Sequence, residues 1–325
     1  MIISNFTYDA ASNRLLSTSV GSSSETYAYD VNGNMAALPP LSNMAWNFLD
    51  QLQNTSQQVV NTGTPETTYY IYNVTGQRTR KVTERSAAAG QTPARLRERI
   101  YFGDGEIYRT YAGDGTTLSL ERETLNLNGE AGRVALVENR TIGNDNSVAQ
   151  QTRFRSSNLI SSAVLELGAD GGVVSYEEYT PYGSTSYQAV ASTLDAPKRY
   201  RYSSKERDEE SGLYYYGKRY YASWLARWIS PDPGGLVDGT NQYLFTKSNP
   251  VGSVDNDGQQ TSSPADVKTE PQTQPQPAMS PEVEAAWKEA EKADYSDESV
   301  AKLVDAIVKD RQARGQDLFT SDTAL

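Results

Sequence analysis

The chain has 325 residues, enough for one large or two ordinary domains, with 41 Asp and Glu against 30 Lys and Arg and a net charge of −11. It contains no Cys and no His, which excludes disulfides, thiol catalysis, imidazole bases and His-ligated metals, and the acidic balance argues against nucleic acid as the main partner. Hydrophobic residues make up 37%, and 22 Tyr stand against 6 Phe, so a fold that buries these rings must satisfy their hydroxyls, which suits an extended β surface better than an oily core.

The first residues carry no basic segment followed by an apolar run, and no apolar stretch is long enough to span a membrane. Export, if it occurs, is expected by lysis, as part of a complex, or through a device that recognises something else. Residues 1–125 carry an internal repeat: Phe6-Thr-Tyr-Asp9, Tyr27-Ala-Tyr-Asp30 and Tyr69-Tyr-Ile-Tyr-Asn73, with a degraded copy from Trp46. Aligned on Tyr8, Tyr29, Phe48 and Tyr72, the copies lie 21, 19 and 24 residues apart, a period that signals an array of β units. Each unit reads as an alternating strand and a turn, with Asn or Gly where positive φ is needed; the aromatic packs on the next copy and the acid caps the turn.

Arg85–Arg97 reads as a polar loop. Strands resume at Glu98, with hairpin turns at Gly103-Asp-Gly105 and Gly113-Asp-Gly115. Leu118–Thr141 and Thr152–Gly183 alternate charged and apolar residues, the pattern of half-buried antiparallel sheet. The densest stretch is 199–258: five Tyr fall within Tyr214–Tyr221, Trp224 and Trp228 follow, and Gly and Pro cut it into short strands. Its Tyr rows suit packing between β units, or a platform for sugars. Residues 259–280 are rich in Gln, Pro, Ser and Thr and read as a flexible linker. Ser280-Pro281 then opens a helix with Val283, Ala286, Trp287 and Ala290 on one face, and Ser296 caps a second with Val300, Leu303, Val304, Ile307 and Val308.

Two aspartates invite acid–base chemistry: Asp232 in Ser230-Pro-Asp-Pro233 and Asp255 in Val254-Asp-Asn-Asp-Gly258. Two carboxylates held close keep one proton between them and can activate water and protonate a leaving amide. Taken alone, each is equally a turn residue. Lys205–Glu210 is a charge run that reads as a solvated or salt-bridged turn rather than a metal site.

The segments Lys205–Tyr221, Arg227–Gly239, Asn241–Val251 and Asp255–Gly258 resemble the core domain of the RHS or YD-repeat family, and Ser175–Ala189 is similar to the C component of insecticidal toxin complexes and its polymorphic-toxin relatives. A weaker likeness runs upstream almost to residue 1, where the internal copies match the family's YD repeats. The resemblance implies a mainly β fold: a YD-repeat sheet array that is part of an RHS shell, with a short α-helical tail. Its divisions are YD-type repeats over 1–125, a β-rich segment over 126–258 ending in the core, a linker over 259–280 and a variable tail over 281–325. Family members cut themselves just after the core and so release the tail within the shell. By motif the residues that act fall on Arg219, Asp232 and Asp255, and the cut on the bond between Gln259 and Gln260.

The sequence departs from the family at two places. The junction reads Asp255-Asn-Asp-Gly-Gln259 where the family has Asp-Pro-Asp-Gly and an apolar residue, and Ser157-Asn-Leu-Ile-Ser-Ser162 replaces a run carrying His and Gly. The implied partner is a B-type toxin-complex chain that completes the shell, with no cofactor, metal, nucleic acid or membrane span. A chain of this length supplies part of such a shell, as a fragment or the distal part of a split gene would. The alternatives are a non-enzymatic module binding carbohydrate or a surface protein, and an inactive remnant.

Overall fold

The computed structural model describes residues 4–129, 132–191 and 198–263, together with residues 281, 282, 285, 288, 289 and 302. The chain divides into two compact units, Met1–Lys268 and Thr269–Leu325. In the second unit the described residues are helical. The apolar stripes expected there, from Val283 to Ala290 and from Val300 to Val308, lie outside the described residues.

The first unit is antiparallel throughout its described residues. Three strands, β1 (Ser4–Tyr8), β2 (Leu15–Val20) and β3 (Ser23–Thr26), make a small sheet, and β4 (Ala28–Tyr29) pairs with β5 (Met35–Ala37). A twelve-stranded meander follows: β6 (Asn43–Trp46), β7 (Leu52–Ser56), β8 (Thr67–Tyr72), β9 (Arg78–Glu84), β10 (Arg95–Phe102), β11 (Gly105–Tyr111), β12 (Leu118–Gly129), β13 (Gly132–Ile142), β14 (Gln150–Ser157), β15 (Ala163–Gly168), β16 (Val173–Tyr179) and β17 (Thr185–Val190), each beside its sequence neighbour. The core adds a four-stranded sheet, β18 (Glu206–Arg207), β19 (Tyr214–Tyr215), β20 (Tyr220–Ala222) and β21 (Arg227–Trp228), and a last pair, β22 (Val254–Asp255) and β23 (Thr261–Ser262). The loop expected over Arg85–Arg97 is shorter, because Arg95 and Arg97 already pair with Glu84 and Thr83. Thr261 and Ser262, in the stretch that reads as linker, form β23.

One turn recurs along the repeats. Asp30 N–H bonds to Asn34 O (2.9 Å) and Gly33 N–H to Asp30 O (3.2 Å); the pattern returns at Asn47–Gln51, Asn73–Gln77, Asn158–Ser162 and Thr180–Ser184. The fourth residue has positive φ each time: Gly33, Asp50, Gly76, Ser161 and Gly183. The first residue's side chain accepts the fifth residue's N–H, as in Asp30 Oδ1 from Asn34 (2.9 Å) and Asn73 Oδ1 from Gln77 (3.0 Å). The acid or amide therefore caps the turn, as its chemistry requires.

The residue before four of these turns is aromatic, and its polar tip reaches back to the backbone just past the preceding turn. Tyr29 Oη donates to Leu15 O (3.1 Å) and accepts from Leu15 N (3.0 Å). Trp46 Nε1 donates to Met35 O (2.7 Å), Tyr72 Oη to Leu52 O (2.8 Å) and Tyr179 Oη to Ala163 O (2.9 Å). The four acceptors sit on fully buried residues. This corrects the alignment of the degraded copy. Its repeat aromatic is Trp46; Phe48 lies at the turn tip and is 91% exposed, because the turn, not the sequence spacing, sets which ring faces inward.

The core docks by borrowing this device. Arg78 follows the Asn73–Gln77 turn, and its N–H bonds to Tyr215 Oη from β19 (2.9 Å). The four-stranded sheet is buried on both faces, which explains its density of rings. Leu213, Tyr215, Tyr220 and Ile229 join one apolar cluster with Leu15, Met35 and Leu52; Tyr214, Tyr216, Tyr221 and Trp228 join another with Tyr202 and Phe245. Alternate residues thus serve opposite faces.

Charge also ties core to meander. Arg78 pairs with Glu206 (2.7 Å) and Asp208 (2.7 Å), Lys81 with Asp208 (3.0 Å) and Glu210 (3.1 Å), and Arg199 with Glu106. The run Lys205–Glu210 is therefore salt-bridged, and Glu206 and Asp208 are buried rather than solvated.

Candidate functional site

The core's last pair of strands converges on Arg219, which follows a tight turn at Gly217. Its Nη1 lies 3.0 Å from Asp232 Oδ2 and its Nη2 3.3 Å from Asp255 Oδ2. All three residues are buried, and the guanidinium sits 4.1 Å above the Trp228 ring. The structure thus brings together Arg219, Asp232 and Asp255, residues 36 positions apart at the extremes.

Each aspartate divides its two oxygens between a turn and the arginine. Asp232 Oδ1 accepts from Gly234 N (2.8 Å), and Asp255 Oδ1 accepts from Asp257 N (3.2 Å) and Gly258 N (2.6 Å). Each aspartate is therefore a turn residue and, through its other oxygen, a partner of Arg219.

The peptide leading to the Gln259–Gln260 bond is held carbonyl by carbonyl. Asn256 O accepts from Lys205 Nζ, Asp257 O from Lys218 N (2.9 Å) and Gly258 O from Arg219 Nε. Gly258 has φ +81°, and a Cβ there would stand 2.9 Å from Arg219 N, so only glycine fits. Gly234 leaves a small space, and Asp232 Oδ1 (3.1 Å) and Gln259 O (3.8 Å) both lie within 4 Å of the point where its Cβ would sit. Asp232 and the carbonyl of the candidate bond thus border the same small space. Beside it opens a cavity of about 500 Å³, lined by Trp46, Tyr72, Lys218, Asp232 and Gln259 among others.

The electrostatics favour the protonated form of both carboxyls. Burial pushes the Asp255 carboxyl up to about 6, with Arg219 pulling the other way. Burial also raises Asp232 against the same arginine, and it lowers Arg219. Two carboxylates facing one guanidinium in low dielectric favour a protonated member. Lys205 was not singled out for its contact with the turn, nor was Asp238, whose Oδ2 accepts from Thr261 N (2.8 Å) and Thr261 Oγ1. The signal for Asp238 is only its place in the Asp-Gly turn. The Tyr rows are not a sugar platform: Tyr214, Tyr216, Tyr220 and Tyr221 are each at most 2% exposed.

No family model matches the chain. Two subunits of Yersinia entomophaga do: the toxin subunit YenC2 is 39% identical over 192 residues, 58% of this chain and 19% of its own length, and the toxin subunit YenC1 is 32% identical over 259 residues, 78% of this chain and 26% of its own. The crystal structure of TcdB2-TccC3 superposes with a TM-score of 0.66 at 29% identity, covering 78% of this chain and 13% of that one. The chain is mainly β, built from antiparallel sheets in its described residues. Its likeness is to subunits of toxin complexes, consistent with an RHS/YD-repeat C component. It spans about a quarter or less of the length of the curated relatives it matches.

Proposed function

We propose that this chain is the RHS shell and core component of a toxin complex that cuts its own backbone after Gln259 and so severs the tail from the core. In this reading residues 1–258 form wall and core, 259–280 a linker and 281–325 the cargo, while a B-type chain completes the shell. The observation that carries it is Arg219: one guanidinium bridges two buried carboxylates and holds the Gly258 carbonyl, one residue before the bond.

The chemistry is amide hydrolysis. Asp232, beside the Gln259 carbonyl, takes a proton from water as its oxygen attacks the carbonyl carbon. Arg219 fixes the geometry and offsets negative charge. Asp255 in its protonated form supplies the proton for the Gln260 nitrogen as the C–N bond breaks. The products are a carboxylate on Gln259 and an amine on Gln260.

The test is the intact mass of the purified chain beside Asp232→Asn. A wild-type fragment ending at Gln259, absent from the variant, is expected. A single full-length mass for both would remove self-cleavage and leave a shell module.

A further inference from the structure

The residues after the candidate bond are bound as firmly as those before it. Thr261 and Ser262 pair with Asp255 and Val254 as strand β23. Asp238 Oδ2 takes both the N–H and the hydroxyl of Thr261, and Asp238 Oδ1 lies 3.3 Å from Lys247 Nζ. The Asp238 side chain is only 12% exposed, so water competes little for these bonds. Lys247 sits in a turn, Thr246–Ser248, whose three residues all have positive φ (45°, 51° and 63°), a conformation that non-glycine residues hold only under surrounding constraint. The core supplies Asp238 and β22, and the segment after Gln259 supplies Thr261 and Ser262.

We infer that the core retains the tail after scission, with Asp238, backed by Lys247, acting as a latch on the strand Thr261–Ser262. This rests on the self-cleavage proposed above and deepens it: hydrolysis separates Gln259 from Gln260, yet the new amino end stays pinned one residue further on. Cleavage and release are then two events, and release requires the strand to be peeled from Asp238 and β22. The latch chemistry is that of a carboxylate recognising a Thr hydroxyl and its own amide together.

The experiment compares denaturing and native mass spectra of the whole chain, wild type beside Asp238→Ala. The wild type is expected to give two fragments when denatured and one complex of their summed mass when native. Asp238→Ala should give the same denatured fragments but lose the tail from the native complex, with dissociation faster by about tenfold or more. A single mass on denaturation defeats the cleavage reading alone. The latch is then judged on the intact chain by hydrogen exchange, where the Thr261 amide should exchange about tenfold or more faster in Asp238→Ala. Thr261→Val, which leaves the core untouched, must shift the same readouts in the same direction and decides the matter if Asp238→Ala does not fold. Fragments that separate in the native wild type, or variants with unchanged retention and unchanged Thr261 exchange, would overturn the latch.

Discussion

Removing single hydroxyls from the repeat aromatics should destabilise the protein in a graded order set by what each hydroxyl leaves behind. Tyr29 Oη serves both the N–H and the carbonyl of Leu15, a residue with no exposed surface. Tyr29→Phe keeps the ring and strips both partners where water cannot replace them, so a loss of about 2–4 kcal/mol is expected. Burial holds this hydroxyl up to about 12, so it stays a donor at neutral pH. Tyr72 Oη serves Leu52 O and lies 3.1 Å from Tyr220 Oη; Tyr72→Phe should cost about 1–3 kcal/mol. Tyr179 Oη serves Ala163 O, but Lys198 Nζ also donates to that carbonyl (2.8 Å), so Tyr179→Phe should cost only about 1 kcal/mol. Tyr8, half exposed at the first copy, is the control, and its change to Phe should stay within about 0.5 kcal/mol. Urea unfolding of each variant, in an Asp232→Asn background that blocks the proposed cut, gives the differences at constant m-value. If Tyr29→Phe costs no more than Tyr8→Phe, the backbone reach of these aromatics is not what holds the repeats together.

The remaining predictions concern charge. The carboxyl of Asp255 is raised by burial from 3.8 to about 6, so folding favours its protonated form, and that contribution is lost as pH rises through about 6. Self-cleavage that uses this proton should slow roughly tenfold per pH unit above about 6 when the chain is refolded across a pH series and followed by mass; a flat profile from about pH 5 to 8 would exclude Asp255 as the acid. Arg78→Met leaves Glu206 and Asp208 buried without their arginine and should lower stability by about 3–5 kcal/mol in the same urea assay. A loss under about 1 kcal/mol would mean that the network tying core to meander is dispensable.

What could be read in the sequence follows the reach of each interaction. Turn chemistry is local, so Asp30, Asn73, Gly33 and Gly76 announced their hairpins, and alternation announced the sheet. The error at Phe48 is of the same kind: Trp46 and Phe48 are two apart on one short strand-and-turn, and spacing alone cannot say which precedes the turn. Contacts across long separations left no local mark. Tyr215 completing the repeat at Arg78 spans 137 residues, and the partners of Glu206 and Asp208 are similarly remote. Asp232 and Asp255 looked like turn residues from their neighbours, and only family likeness joined them to Arg219.

That ambiguity follows from how the site is built. Because each aspartate spends one oxygen on its own turn, the turn fixes where the other oxygen meets the arginine. Arg219 in turn reaches Gly258 O and Asp255 Oδ2 only when the turn Asp255–Gly258 is seated against Lys218 and Arg219. An unfolded or half-synthesised chain therefore has the residues but not the constellation, and the peptide whose scission is proposed is one of the pieces that completes it: in that proposal Asp255, Gly258 and Gln259 belong at once to the acting group and to its substrate. In the proposed reaction this arrangement confines the chemistry to a single bond in the same molecule, once per chain, after the core has closed. A chain without His would then need no strong base, since a bond held at both ends by Arg219 and Asp238 loses the translational freedom that an intermolecular reaction would have to overcome.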